Sequence, residues 1–154
     1  MLREEWEVSA LDVLVRATEQ ADLFADAAHH LAAHGRDEAV ALCNEMAAHR
    51  RRLAADMEAA LRTHDIYPKS MDPEREAADR LFANVKSALS ADEVDSLLHT
   101  RLHSDEHLRR SVAEAQSVEG MPDDLARLFA QYAQSLSGDD VKIDAFLAGR
   151  HKTA

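Results

Sequence analysis

Apolar residues recur at intervals of three and four along most of the sequence. Near the beginning they include Leu14, Ala17, Ala21, Phe24 and Ala28, which fall on one face of a chain wound at 3.6 residues per turn. The pattern predicts one short and four long helices. The long helices cover about residues 2–33, 37–63, 91–118 and 122–149, and the short helix covers about residues 73–89.

The predicted long helices are separated by two short turns and one long connection. Gly35 can take the left-handed conformation that ends a helix, and Gly120 and Pro122 mark the second turn. Short turns make the helices on either side antiparallel neighbours. The long connection can return along the whole bundle, which would make the second and third long helices parallel. We therefore predict a single all-α domain, a four-helix bundle of two antiparallel hairpins joined by a crossover helix. A simple up-down bundle is the alternative.

Composition and charge narrow the classes of partner. The sequence has 154 residues, which suits one domain, and only 4 glycines and 3 prolines. Its net charge of -11 disfavours nucleic acid and anionic membrane surfaces, since both are polyanions. No apolar run approaches the roughly 20 residues of a membrane helix. With one cysteine, Cys43, and a charged beginning, we expect a cytoplasmic protein.

Several charged residues project onto the apolar faces of the predicted helices. They are Arg50, Arg101, Asp105 and Asp139. Arg50 and Asp105 are both near the middle of their helices, so opposite charges would meet inside the bundle. We predict a buried polar layer of these residues, which the hydroxyl of Tyr132 also reaches. The alternative is that the helix ends are misplaced and the side chains extend to the rim.

Four segments, residues 42–54, 81–90, 101–108 and 139–143, resemble a bacterial ferritin-like domain family of unknown function. The likeness covers nearly the whole chain. It implies a ferritin-like four-helix bundle and a metal-related or stress-related role. The metals that the resemblance implies are iron, manganese or zinc, and none of the three is favoured.

A di-metal centre in such a bundle needs about four inward carboxylates and two Glu-x-x-His pairs. The sequence has no Glu-x-x-His, and its nearest approach, Glu45 and His49, is spaced by four. In the helical projection Glu45 points away from the apolar face and His49 lies at its margin. The residues that could still take part in a metal site are His49, Asp105, Asp140 and Glu45.

His99, His103 and His107 form a ladder with a spacing of four on the predicted third long helix. All three project opposite the apolar face, so we interpret the ladder as part of a solvated surface. A surface transition-metal site or a pH-responsive contact is the alternative.

Two functions remain open. The inward arginines favour a non-enzymatic structural or interaction module. We expect this module to form a homo-oligomer, and in the first instance a dimer. Val8, Val15 and Leu23, which lie outside the main apolar faces, indicate a second contact surface. The alternative is a ferritin-like metal protein with a storage, peroxide-handling or stress role. If that protein is an enzyme, it is a metal-dependent oxidoreductase.

Overall fold

The computed structural model describes residues 3–33, 35–68 and 91–152, except for the side chains of residues 91–95, 101–103 and 150–152. It contains four long helices: α1 (Glu5–Ala33), α2 (Asp37–Thr63), α3 (Ala91–Ser117) and α4 (Asp123–Lys152). Over these ranges the structure has no strand, so the prediction of an all-helical bundle is confirmed. The predicted crossover helix at 73–89 lies outside the described residues.

The predicted bounds of α2 are correct and those of the other helices shift by one to three residues. Helix α1 begins at Glu5 rather than at residue 2, because the carbonyl of Glu4 accepts the first helical bonds from the amides of Glu7 and Val8, at 3.0 and 3.2 Å. Helix α4 continues through Gly149 to Lys152, past the predicted end.

Both turns that follow the first two helices are Schellman motifs. At the end of α1, Gly35 has a φ of +69°, as predicted. The amide of Arg36 donates to the carbonyl of Leu31 at 3.1 Å. At the end of α2 the left-handed position is filled by Asp65, with a φ of +58°. A side chain there costs about 1–2 kcal/mol.

Ile66 follows directly and its side chain is buried. Its amide donates to the carbonyl of Leu61 at 3.0 Å, and both side chains belong to the same core cluster. The apolar contact that usually accompanies a Schellman motif is therefore present. Ile66, near the beginning of the predicted loop after α2, is therefore part of the core.

Each helix packs against two others: α1 against α2 and α3, and α4 against α2 and α3. Helices α1 and α3 are antiparallel, since Asp12 bonds Ser111 while Gln20 bonds Ser104. Helices α2 and α4 are antiparallel as well. Leu53 accepts a bond from Tyr132, and further towards the other end Glu45 bonds Lys142. It follows that α2 and α3 run in the same direction.

The buried apolar side chains form two clusters. The first core cluster lies where α1 and α4 begin and α2 and α3 end, and it includes Leu14, Met57, Leu108 and Phe129. The second core cluster lies at the other end of the bundle and includes Phe24, Met46, Leu98 and Ile143. Four of the five polar side chains that are buried among the described residues lie between the two clusters in sequence, one on each helix: Gln20, Arg50, Asp105 and Asp139.

The outward surface is polar for the most part. Val8 and Val15 are exposed on α1, as predicted, whereas Leu23 is half-buried. Among the described helices, none is long and apolar enough to cross a membrane.

Trp6, His64 and Asp124 close one end of the bundle. The rings of Trp6 and His64 meet edge to face with centroids 5.8 Å apart. Nε2 of His64 lies 3.0 Å from both carboxylate oxygens of Asp124. Burial alone would raise the pKa of Asp124, but the hydrogen bond and the charge of His64, together with backbone hydrogen bonds from Leu125 and from Asp124 itself, hold the pKa below its usual value.

We expect His64→Gln to raise the pKa of Asp124 towards its usual value. A lowered carboxyl pKa stabilises the fold above about pH 3.8, and this contribution is lost as the pH falls through the folded-state pKa. Asp124 is half exposed, so the contribution is at most about 0.5 kcal/mol. Carbon-13 NMR of the carboxyl group measures the change. His99→Gln, an exposed histidine on α3, is the control, and equal Asp124 titrations in all three proteins would contradict the prediction.

Candidate functional site

Arg50 is the largest fully buried side chain of the described residues, with 0% exposure. It lies on the apolar face of α2, between Met46 and Leu53, at the spacing of three and four that places side chains on one face. An arginine at such a position has to find its hydrogen-bond partners inside the protein.

Asp105 of α3 and Asp139 of α4 supply those partners. Nε and Nη2 of Arg50 donate to the two oxygens of Asp105 at 3.2 and 2.5 Å, which makes a bidentate fork. Nη1 of Arg50 donates to Oδ2 of Asp139. Both carboxylates are buried. One guanidinium therefore ties together three helices in the middle of the bundle.

Two apolar side chains also lie against the guanidinium. Nη1 of Arg50 lies 3.7 Å from the sulfur of Met46, and Cζ stands 5.3 Å from the centroid of the Phe24 ring. Burial alone would lower the pKa of Arg50, but the charges and hydrogen bonds of Asp105 and Asp139 outweigh it and raise that pKa above its usual value. Arg50 is therefore a permanent buried cation.

His49 connects this group to the surface. Its Nδ1 lies 3.0 Å from Oδ1 of Asp139, and its side chain is 28% exposed. Further out on the same side, Nζ of Lys142 bonds Glu45 at 2.6 Å. That bond is the main reason why the pKa of Glu45 is lowered. Glu45 is thus committed to a surface ion pair.

A second pair lies beside Asp105. Nη1 of Arg109 is 3.6 Å from Oδ2 of Asp105 and bonds Asp140. Partial burial raises the pKa of Asp140, although the charge of Arg109 acts in the opposite direction. Two guanidinium groups, from Arg50 and Arg109, thus face the three carboxylates of Asp105, Asp139 and Asp140. The group carries one excess negative charge when His49 is neutral.

Gln20 of α1 is a further member, which the sequence analysis did not identify. Its side chain is 5% exposed, and its Nε2 donates to Ser104 at 2.5 Å. Oε1 of Gln20 is the one buried side-chain oxygen or nitrogen, among residues that the structure describes, without a hydrogen-bond partner. Gln20 lies three residues after Ala17 and four before Phe24, so it is a polar residue on an apolar face. The same pattern identified Arg50 and could have identified Gln20. We call Gln20, Arg50, Asp105 and Asp139 the central layer.

The other predicted members of the polar layer differ in their placement. Tyr132 is buried, but its hydroxyl donates to the carbonyl of Leu53 at 2.9 Å and not to the charged residues. Leu53 and Tyr132 both belong to the first core cluster. The side chain of Arg101 lies outside the described residues, and so does that of His103. The remaining histidines of the ladder, His99 and His107, are exposed on α3.

The candidate metal ligands do not converge. Within residues 3–33, 35–68 and 91–152, as far as side chains are described, no three histidine, cysteine or acidic side chains form a group that could hold a metal ion. Asp105 and Asp139 face Arg50, Asp140 faces Arg109, and Glu45 faces Lys142. The described residues therefore do not fit a ferritin-like di-metal centre.

The chain matches no protein-family model, no curated protein and no solved structure.

We expect Arg50→Leu to destabilise the fold by about 3–5 kcal/mol, because it leaves two buried carboxylates without their cation. Urea unfolding followed by circular dichroism measures the loss. The control is Arg51→Leu, which changes an exposed arginine on the same helix and should stay within about 0.5 kcal/mol of the wild type.

A triple variant separates loss of the charge from loss of packing. Arg50→Met with Asp105→Leu and Asp139→Leu replaces Arg50 and both of its carboxylate partners by apolar side chains, and replacing a buried ion pair in this way is often neutral or stabilising. We expect the triple variant to be more stable than Arg50→Leu alone. A cost below about 1 kcal/mol for Arg50→Leu would show that the buried pairs do not support the fold.

Proposed function

We propose that this protein is a non-enzymatic ferritin-like helical module that acts by binding a protein partner. The observation that carries the proposal is the fork of Arg50 on Asp105, completed by Asp139. It places a fixed organic cation at the centre of the bundle, where the resemblance implies metal ions. The central layer then has a structural role.

The helix directions support the ferritin-like part of the proposal. Helices α2 and α3 run in the same direction, and each packs against α1 and α4. Such a pair requires a connection that returns along the bundle, about 40 Å for a helix of this length. Residues 69–90 contain enough chain to span that distance. A simple up-down bundle would place α2 and α3 antiparallel.

The state of the reactive side chains supports a non-enzymatic role. The thiol of Cys43 is buried, with 1% exposure. Burial raises the pKa of Tyr132 above its usual value, so its hydroxyl stays protonated. The charged groups of the central layer engage one another, so they are not poised to transfer protons to a substrate.

We expect the purified wild-type protein to hold no stoichiometric metal. Untagged protein is tested by mass spectrometry as isolated, and again after anaerobic incubation with ferrous iron and desalting. One or two metal ions per chain, lost in Asp105→Ala/Asp140→Ala, would replace the proposal with a ferritin-like metal centre. Metal lost only in His99→Ala/His107→Ala would belong to the surface histidines and would leave the central layer as described.

The partner that we propose first is a second copy of the chain. Val8 and Val15 are exposed by 55% and 43% on α1, and their separation of seven residues places them on one face. We expect sedimentation velocity to show a dimer that Val8→Asp/Val15→Asp converts to a monomer. Val141→Asp, at an exposed valine on α4, is the control. A wild-type monomer at all concentrations would exclude self-association.

A further inference from the structure

The outer surface of the α1–α2 hairpin carries two rows of side chains with a spacing of seven residues. On α1, Val8 and Val15 are exposed by 55% and 43%. Asp22 follows Val15 by seven residues and continues the same row. On α2, Ala48 and Ala55 are both exposed and are also seven residues apart.

The two rows open on the same side of the bundle. On α1, Asp12 contacts α3, and Val15 lies about 60° round the helix from Asp12, on the side away from α3. On α2, His49 contacts α4, and Arg51 lies about 160° round the helix from His49, on the flank towards α1. Because α1 and α2 pack side by side, these positions border one outer surface. We call it the hairpin face, formed by Val8, Val15, Asp22, Ala48, Arg51 and Ala55.

The two helices of the hairpin carry opposite charges along their middle parts. In residues 17–28 of α1 every ionisable side chain is acidic: Glu19, Asp22 and Asp26. In residues 46–55 of α2 there is no acidic side chain, and Arg51 and Arg52 are exposed there. A second copy is therefore attracted when its α2 lies against α1, and it is repelled when like helices meet.

Two ring contacts fix the relative heights of α1 and α2. The ring of Trp6 lies against that of His64, and the ring of Phe24 lies beside the guanidinium of Arg50. The two helices run in opposite directions, and each residue advances a helix by about 1.5 Å. Every residue of α1 between these contacts can therefore be assigned a height on α2.

These heights bring residues of complementary chemistry to the same level. Val15 lies at the height of residues 55–59, the two limits being counted from the two ring contacts. Counted in the same way, Asp22 lies at the height of residues 48–52, a range that includes Arg51. An apolar residue of α1 is thus level with alanine, and an acidic residue is level with arginine.

We propose that the chain forms a twofold dimer through the hairpin face, with the axis parallel to the helices and α1 of each subunit against α2 of its partner. An axis in this direction keeps every residue at its own height. Val15 then meets Ala55 of the partner subunit, and Asp22 meets Arg51 of the partner subunit. The inference rests on the proposed function, in which the first partner is a second copy, and it adds the arrangement of the two copies.

The other twofold arrangement has its axis perpendicular to the helices and sets α1 against α1 of the partner. It can bring Val8 to Val15 of the partner subunit. In that register, however, Asp12 lies beside Asp12 of the partner subunit, and Glu5 approaches Glu19 of the partner subunit. Like charges that face each other across an interface oppose binding. The charges therefore favour the axis that is parallel to the helices.

Charge reversal tests the contact between Asp22 and Arg51. Arg51→Glu and Asp22→Arg should each raise the dissociation constant of the dimer by about tenfold, because attraction becomes repulsion at both copies of the contact. Arg51→Glu/Asp22→Arg should return to within about threefold of the wild type, since the two changes are coupled. Sedimentation velocity of the full chain measures all four proteins. A double variant as weak as the weaker single variant overturns the inference.

Two controls separate the contact from general effects of charge and folding. Arg127→Glu makes the same change in net charge at an exposed arginine of α4, and it should leave the dissociation constant unchanged. Each variant is also unfolded in urea below the dissociation constant, where Arg51→Glu should match the wild type. An equal loss of dimer in Arg127→Glu would reduce the effect to net charge and would also overturn the inference.

Cross-linking tests the arrangement without changing any charge, and it remains decisive if Asp22→Arg fails to fold. In a Cys43→Ala background, Val15→Cys is mixed with Ala55→Cys and treated with a short bismaleimide. We expect a covalent dimer in the mixture and none with either protein alone. A covalent dimer from Val8→Cys mixed with Val15→Cys would show the perpendicular axis instead. That result, or the absence of both links in a dimeric protein, overturns the inference.

The state of the wild-type protein separates this inference from the proposed function. A monomer at all concentrations would contradict both, because no second copy would bind. A wild-type dimer that fails the charge-reversal and cross-linking tests would contradict the inference alone, and self-association would stand with a different arrangement.

Discussion

The neutralisation of one buried guanidinium is the constraint on which the rest of the bundle depends. Arg50 cannot reach water, so two carboxylates have to arrive at its height from other helices. Asp105 and Asp139 do so only if α3 and α4 have the correct direction, rotation and longitudinal position relative to α2. Apolar contacts between alanine and leucine faces would tolerate a shift of one helix along another more easily. The ion pairs therefore require one relative placement of α2, α3 and α4.

Much of this arrangement could be predicted from the sequence. The spacing of the apolar residues gave four helices with bounds correct to within three residues, and Arg50, Asp105 and Asp139 were identified because each interrupts an apolar face. What periodicity could not supply was the partner of each polar atom. The hydroxyl of Tyr132 was expected among the charges, but a backbone carbonyl of α2 lies closer to it. Periodicity gives the face of a helix, whereas partners depend on how far each side chain reaches across the interface.

The same limit explains Gln20 and Asp140. The spacing of Gln20 places it at a core position of α1, but a neutral amide on an apolar face is a weaker signal of a buried polar site than a charged side chain is. Asp140 was predicted as a candidate metal ligand, whereas its pairing with Arg109 depends on the relative rotation of α3 and α4. The end of α2 shows a third kind of limit. The left-handed position there is occupied by Asp65, so the usual sequence signal for this kind of helix end, a glycine, is absent.

The separation of the core into two clusters has a consequence for how the protein tolerates change. Met46 and Leu53 belong to different clusters and are seven residues apart on α2, about 10 Å along the helix axis. At that distance the effects of two substitutions on stability usually add. Met46 and Phe24, which both belong to the second core cluster, also contact the guanidinium of Arg50. Substitutions at these two positions are therefore coupled to the ion pairs of Arg50, and their effects on stability will not simply add to those of changes at Asp105 or Asp139.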